Sequence, residues 1–188
     1  TGKSTADQFF KKQNIPIVDC DEIAHDLMKP KNASWQAIKD NFGEEYLNDD
    51  QTINRKKLGQ LVFSNKSALN RLNQLTHPLI FDKTIQKITS YQNEDMVILD
   101  APVYFESGLD KKHIANSVLV ITLPESIQIE RLKQRNNLTD KEARMRINSQ
   151  MPLSKKTQLA DFVIENTGTI KELESKLEQL LNKIKKEG

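Results

Sequence analysis

Two short apolar segments, each closed by an aspartate, constrain the fold of this chain more than any other feature. Residues 15–19 read IPIVD, residues 96–100 read MVILD, and two further apolar segments follow at 117–121 and 162–164. Short apolar runs of this kind are typical of buried parallel strands, and the sequence between them shows helical spacing. The alternation predicts an α/β fold, in which helices cover both faces of a parallel sheet.

The helical pattern also fills the long stretch 31–92, where no strand is expected, and this stretch is interpreted as an insertion between two strands. Asp21 is predicted to be the N-cap of a helix that ends at Met28, and His77-Pro78 is expected to separate two helices. Helices are predicted at 4–13, 21–28, 34–42, 54–63, 67–74, 78–91, 124–135, 139–149 and 169–186. Thr139 is expected to be the N-cap of its helix, with Glu142 at the capping-box position.

Aspartates stand where the predicted strands end, at Asp19, Asp21 and Asp100. Ligands of parallel sheets bind at the carboxyl ends of the strands. A carboxylate there could accept a proton from a substrate hydroxyl or hold the water shell of a metal ion, although each aspartate alone is more often a helix cap. Cys20 is interpreted as a packed apolar residue rather than a nucleophile.

Charge and cysteine content argue against several classes of protein. With 28 basic and 26 acidic residues, the net charge of +2 gives no support for binding to a nucleic acid duplex. A single cysteine allows no disulfide within the chain, and no apolar run approaches the length of a membrane span. We therefore expect a cytoplasmic protein with neither a nucleic acid nor a membrane as partner. The three histidines lack metal-ligand spacing, so no structural zinc is predicted.

The first five residues, TGKST, match the end of the phosphate-binding loop G-x-x-x-x-G-K-[ST]. In that loop, backbone N–H groups bind phosphates, the lysine reaches the β and γ phosphates, and the hydroxyl holds Mg²⁺. On these residues alone, an exposed polar helix start is an equal alternative. Since such a loop follows a strand, we expect roughly ten further residues upstream of Thr1, and no activity in a chain without them.

Several segments, taken together and in order, resemble the dephospho-coenzyme A kinase family. They are VDCDEIAH (18–25), FG (42–43), NRKKL (54–58), THPLI (76–80), DAPVYFE (100–106) and ADFVIENTG (160–168). The resemblance implies a P-loop NTPase three-layer sandwich whose parallel sheet has five strands, the first being absent from this chain. It implies three parts: a nucleotide-binding core (1–30, 94–135 and 153–188), a helical acceptor-binding insertion (31–93) and a lid (136–152).

The same resemblance implies ATP-dependent and Mg²⁺-dependent phosphorylation of the ribose 3′-hydroxyl of dephospho-coenzyme A. Asp21 would be the general base, Lys3 would bind the ATP phosphates and Arg135 would close over them from the lid side. The metal would be held by Ser4 and Asp100. The nucleotide would contact Thr1, Gly2, Lys3, Ser4, Thr5, Arg135, Asn166 and Gly168, and the acceptor would contact Asp21, His77, Pro102 and Glu106.

Some alternatives stay open at this point. Glu106 orients the acceptor or pairs with a lysine, and the sequence does not choose between the two roles. Where many family members carry an arginine near Leu153, this chain offers Lys155 and Lys156 as alternatives. Arg144 and Arg146 are interpreted as a solvated basic face.

A nucleoside or shikimate-type P-loop kinase is the alternative enzyme, and a non-catalytic nucleotide-binding module is the alternative from another class. A monomer is expected.

Overall fold

The computed structural model describes residues 1–187, and the chain forms two compact units. Unit 1 joins residues 1–15 to the chain from 103 onward, whereas unit 2 is the contiguous stretch 16–102. Within the described residues, no helix has both the length and the apolar character needed to cross a membrane.

Unit 2 contains two parallel strands, β1 (Ile17–Asp19) and β2 (Ile98–Asp100). Their register places Asp19 opposite Asp100, so both strands end in a carboxylate at the same edge. The helices of unit 2 are α2 (Cys20–Leu27), α3 (Ala33–Phe42), α4 (Arg55–Ser64) and α5 (Lys66–Thr89). A buried apolar cluster joins α3 and α4, and consists of Trp35, Ile38, Ile53, Leu58 and Val62.

Helix α5 corrects the prediction that His77-Pro78 separates two helices. It runs without interruption for 24 residues with Pro78 inside it. A proline has no N–H to donate to the carbonyl four residues earlier, here that of Gln74, and therefore normally ends a helix. Helix α5 packs against α2, α3 and α4, and packing of this kind contributes more to helix stability than local propensity does. The predicted insertion is nonetheless helical, since its only strand-like pairing is an isolated bridge between Leu47 and Ile53 within the described residues.

Unit 1 contains a second parallel pair of strands, with Leu119 opposite Phe162 and Thr122 opposite Glu165. The strands are β3 (Leu119–Thr122) and β4 (Phe162–Glu165). The helices are α1 (Lys3–Lys12), α6 (Glu125–Asn136), α7 (Asp140–Asn148), α8 (Leu153–Leu159) and α9 (Ile170–Glu187). The apolar face of α1 packs on α9, and the buried residues of this contact are Ala6, Phe9, Phe10, Leu173, Leu177 and Leu181.

The four predicted strands are all present, and their parallel pairing confirms the α/β interpretation. The described strands form two pairs, β1–β2 and β3–β4. Helix α8 was not predicted, because seven largely polar residues are too short to show a helical period. Thr139 caps α7 in the predicted capping box, in which Glu142 N–H donates to the threonine hydroxyl and the Glu142 carboxylate accepts from Thr139 N–H.

Candidate functional site

Helix α1 begins at Lys3 directly after Gly2, a start that both the phosphate-binding loop and the exposed polar helix start allow. Gly2 has φ 111°, a conformation that disfavours any side chain, and its carbonyl accepts from the N–H groups of Thr5 and Ala6 at 3.1 Å each. A Cβ at this position would also clash with the side-chain amide of Asn166. The glycine is therefore required by both the backbone conformation and the close approach of a neighbour.

Asn166 ties the end of β4 to the start of the chain. Its side chain is buried, and Nδ2 donates to the carbonyl of Thr1 at 2.8 Å, while its backbone N–H donates to the carbonyl of Thr122 at 2.8 Å. The resemblance implied that this asparagine lines the adenine. In the structure its amide supports the segment that leads into Gly2, a contact that links positions too far apart in sequence to be predicted.

Positive charge gathers at the same end of unit 1. Thr1 lies within electrostatic range of three cations, Arg131, Arg135 and Lys3. These three cations therefore act on one point beside the candidate phosphate-binding loop. Arg131 was not among the predicted site residues, although its spacing of four from Arg135 on α6 was the signal that could have identified it.

Asp19 and Asp21 have different roles in unit 2. Asp19 is the N-cap of α2, because its Oδ1 accepts from the backbone N–H groups of Asp21 at 2.8 Å and Glu22 at 3.1 Å. The prediction that Asp21 is the cap is therefore wrong. Strand β1 ends at Asp19 and α2 begins at the next residue, so the extended backbone that an N-cap needs belongs to Asp19. Asp21 is exposed in the first turn of α2.

Three carboxylates surround Cys20. Burial raises the pKa of its thiol to about 11, and the negative charges of Asp100, Asp19 and Asp21 add to that rise against the opposing hydrogen bond with Thr84. The thiol is thus neutral at pH 7, in agreement with its interpretation as a packed residue. Asp100 is 5% exposed. The structure therefore brings the three predicted aspartates together at the carboxyl edge of β1 and β2.

The remaining acceptor candidates of unit 2 are His77 and Pro102. His77 is exposed midway along α5, and Pro102 follows β2 by two residues. His25 lies with its Nδ1 2.7 Å from Nη2 of Arg55, whose guanidinium donates this hydrogen bond. A cavity of about 210 Å³ lies between α2 and the start of α3, lined by Ile23, Asp26, Leu27, Asn32, Ala33 and Lys83.

Glu106, in unit 1, forms an ion pair with Lys156. Its Oε1 lies 2.7 Å from the ammonium group of Lys156 and accepts from the backbone N–H of Met151 at 2.9 Å. Of the two roles that the sequence left open for Glu106, the lysine pair is present. Lys156 itself is buried, so Lys155 is the exposed member of the two.

Arg144 of α7 forms surface ion pairs. Arg144 contacts Asp140 at 2.8 Å and Glu125 at 3.4 Å, which agrees with its interpretation as part of a solvated face. Arg135 is exposed, and its Nε donates to Oδ1 of Asn136 at 3.0 Å.

The oxygen donors expected for Mg²⁺ fit that ion. Among residues 1–187, no three His, Cys, Asp or Glu side chains are grouped so as to hold a metal. Mg²⁺ in phosphoryl transfer is typically held by one or two carboxylates together with substrate phosphates and water, rather than by an all-protein cage. A hydroxyl on the first turn of α1, Ser4, and a strand-end carboxylate, Asp100, are donors of the kind that this ion prefers.

Comparison with known proteins gives one consistent answer. A family model described as dephospho-CoA kinase matches residues 1–172. The dephospho-CoA kinase of Lactobacillus acidophilus is 83% identical over 188 residues, which cover 100% of this chain and 94% of that protein. The dephospho-CoA kinase of Lactobacillus johnsonii is 50% identical over 186 residues, which cover 98% of this chain and 93% of that protein.

Solved structures agree with the sequence comparisons. The dephospho-CoA kinase from Campylobacter jejuni is 30% identical with a TM-score of 0.73, covering 98% of this chain and 92% of that one. A crystal structure of a Thermus thermophilus protein gives a TM-score of 0.83 at 26% identity, covering 97% and 91% of the two chains.

Proposed function

The chain belongs to the dephospho-coenzyme A kinase family, and on that premise we propose how its own residues carry out the reaction. The protein is a P-loop kinase of α/β fold that uses ATP with Mg²⁺ to phosphorylate dephospho-coenzyme A in coenzyme A biosynthesis. The oxygen of the ribose 3′-hydroxyl attacks the γ-phosphorus, the bond to the ADP oxygen breaks, and the hydroxyl proton must be taken up. The alternative acceptors considered from the sequence, a nucleoside or shikimate, are thereby set aside.

The nucleotide is held by the segment around α1. Backbone N–H groups at the start of α1 bind the phosphates, with Lys3 at the β and γ phosphates and Thr1, Gly2 and Thr5 shaping the loop. Arg135 adds positive charge as the γ-phosphoryl group transfers. The convergence of Lys3, Arg131 and Arg135 on Thr1 supports this role and adds Arg131 to it. Asn166 supports the loop through its contact with Thr1, and Gly168 contributes to the nucleotide site.

Asp21 accepts the proton of the 3′-hydroxyl. The observation that carries this proposal is the capping of α2 by Asp19, which means that the carboxylate of Asp21 is not used as the cap. A general base must lie within hydrogen-bond reach of the proton that it removes, and an exposed carboxylate in the first turn of α2 satisfies that requirement better than a capping one.

When bound, Mg²⁺ neutralises charge on the β and γ phosphates. The hydroxyl of Ser4 and the carboxylate of Asp100, or water molecules that Asp100 orients, would hold the ion. Asp100 is also fixed in place by its strand, since it is the register partner of Asp19 and is almost fully buried.

The other expectations from the sequence stand as proposals. Residues 31–93 bind the acceptor with contacts from His77 and Pro102, residues 136–152 form the lid, and the remainder is a nucleotide-binding core. A sheet of five parallel strands remains a proposal from the family resemblance, and the structure describes two separate parallel pairs. The protein acts as a monomer in the cytoplasm, with no nucleic acid or membrane partner.

A coupled assay tests the proposed roles. Full-length protein is mixed with Mg²⁺-ATP, and ADP and coenzyme A are quantified with and without dephospho-coenzyme A. We expect acceptor-dependent ADP release with one coenzyme A formed per ADP, and loss of that turnover in Asp21→Asn with ATP binding retained. Normal turnover in Asp21→Asn would show that another group accepts the proton.

A further inference from the structure

One oxygen of Glu106 fastens the chain where it leaves α7. Oε1 accepts from the backbone N–H of Met151, which lies between α7 and α8, and from the ammonium group of Lys156 on α8. The next residue, Pro152, is the N-cap of α8 and has no N–H of its own. The carboxylate thus fixes both the segment that follows α7 and the helix that this segment enters.

Burial sets this ion pair apart from those on the surface. The side chain of Lys156 is 10% exposed and that of Glu106 is 22% exposed. A buried ammonium group is costly unless it is paired, so the position of Lys156 depends on the carboxylate. The proposed reaction steps give no role to the side chain of Glu106 or of Lys156.

The ion pairs that join α7 to α6 are more exposed. They connect Arg144 with Glu125 at 3.4 Å and Lys133 with Asp140 at 3.5 Å. All four side chains are more than a third exposed, and exposed pairs of this kind contribute little. The Glu106–Lys156 pair is therefore the one buried ionic contact described for the segment 136–152 and the helix that follows it.

We propose that Glu106 and Lys156 are positioning residues for phosphoryl transfer, which fix the carboxyl-terminal end of the segment 136–152. This inference rests on the proposed role of that segment as a lid over ATP. A lid fixed at one end closes in a single arrangement, places the arginines of α6 correctly and keeps water from the γ-phosphorus. Without the anchor, water competes with the 3′-hydroxyl: its oxygen attacks the γ-phosphorus, the bond to ADP breaks, and inorganic phosphate and a proton are released.

The test compares Glu106→Gln and Lys156→Met with matched controls on the exposed surface of α9, Glu178→Gln and Lys185→Met. With full-length protein and saturating Mg²⁺-ATP, coenzyme A, ADP and inorganic phosphate are measured over a range of dephospho-coenzyme A concentrations. In both anchor variants we expect kcat for coenzyme A formation to fall about 10- to 100-fold while KM for the acceptor changes less than about 2-fold. The ratio of ADP to coenzyme A rises above one, and both controls match the wild type.

Two results would overturn the proposal. Folded anchor variants that form ADP and coenzyme A in equal amounts would show that the pair serves stability alone. A higher KM for dephospho-coenzyme A in Glu106→Gln, with normal kinetics in Lys156→Met, would instead place Glu106 against the acceptor. Should either variant fail to fold, Glu106→Asp and Lys156→Arg keep the charges, alter the geometry and carry the same expectation. Wild-type protein that forms no coenzyme A would contradict the proposed function, which is a separate outcome.

Discussion

Asp19 and Asp21, two residues apart, are joined by a hydrogen bond of 2.8 Å in which the carboxylate of the first accepts from the backbone N–H of the second. Removing that acceptor in Asp19→Ala should lower the free energy of unfolding by about 1 kcal/mol, measured by urea titration. Asp19→Asn is the control, because its amide oxygen can still cap α2. An equal loss in both variants would mean that the charge, rather than the cap, provides the stability.

Asp21→Asn should lower turnover and leave the stability of the protein nearly unchanged. We expect turnover to fall about 10²- to 10⁴-fold because a general base has been lost, with little change in ATP affinity or melting temperature. Calorimetric ATP titration and the coupled assay together measure both effects. The neighbouring exposed Glu22→Gln serves as the control and should retain wild-type turnover. A stability loss equal to that of Asp19→Ala would restore the capping role to Asp21.

Gly2→Ala should weaken ATP binding and lower stability together. A side chain at φ 111° is strained and also meets Asn166, so we expect a cost of about 1–3 kcal/mol in the free energy of unfolding. Gly59→Ala on α4 is the matched control, because its nearest neighbour would be a Phe63 ring carbon at 3.8 Å, an ordinary contact. That control should be neutral or stabilising, since alanine favours a helix. Intact ATP binding in Gly2→Ala would refute the loop assignment.

The Glu106–Lys156 ion pair should make stability depend on pH. Burial raises the pKa of Glu106, but the hydrogen bonds from Lys156 and Met151 lower it by a larger amount. The net result is a pKa below the usual range for a glutamate. A carboxyl group whose pKa is lowered by folding contributes stability above its unfolded pKa of about 4.3, and this contribution is lost as the pH falls through the folded value.

We therefore expect Lys156→Met to cost about 1–3 kcal/mol near neutral pH, and the difference from wild type to shrink below about pH 4. Glu106→Ala should cost more, because it leaves the more deeply buried ammonium group without its carboxylate. Urea titrations across this pH range measure both effects. A cost that stays constant with pH would show that lost packing, rather than charge, is responsible.

Cys20 should react slowly with alkylating reagents. With a thiol pKa of about 11, only about one molecule in a thousand carries the thiolate at pH 8, compared with roughly a quarter for an ordinary cysteine. We expect iodoacetamide to modify the folded protein about 100-fold more slowly than the unfolded chain, as measured by mass spectrometry. Cys20→Ala should keep its turnover within about twofold, and a large loss would give the thiol a part in the chemistry.

Local signals in the sequence predicted most of the individual elements. Apolar runs gave the strands, and the capping box of Thr139 and Glu142 gave the start of α7. Two local rules failed for physical reasons. Asp19 and Asp21 are equally suitable caps, and only the end of β1 selects between them. The rule that a proline ends a helix holds for an isolated helix, but α5 continues through Pro78 because the helices that it contacts stabilise it.

Contacts between distant positions account for the rest of the candidate site. Asn166 meets Thr1, and Glu106 meets Lys156, across separations of 165 and 50 residues. No periodicity or turn signal connects such pairs, because they depend on how the whole unit packs. The resemblance to a family supplied the residue types at these positions but not their partners.

The division of the chain has a consequence for its synthesis on the ribosome. Residues 16–102 are contiguous, so this unit can fold as soon as it has emerged. Helix α1 is made before that unit, but its packing partner α9 is made after it. At elongation rates of about 5–20 residues per second, that wait is on the order of ten seconds or more, with the apolar face of Phe9 and Phe10 uncovered. During translation, chaperones would therefore find a target in α1.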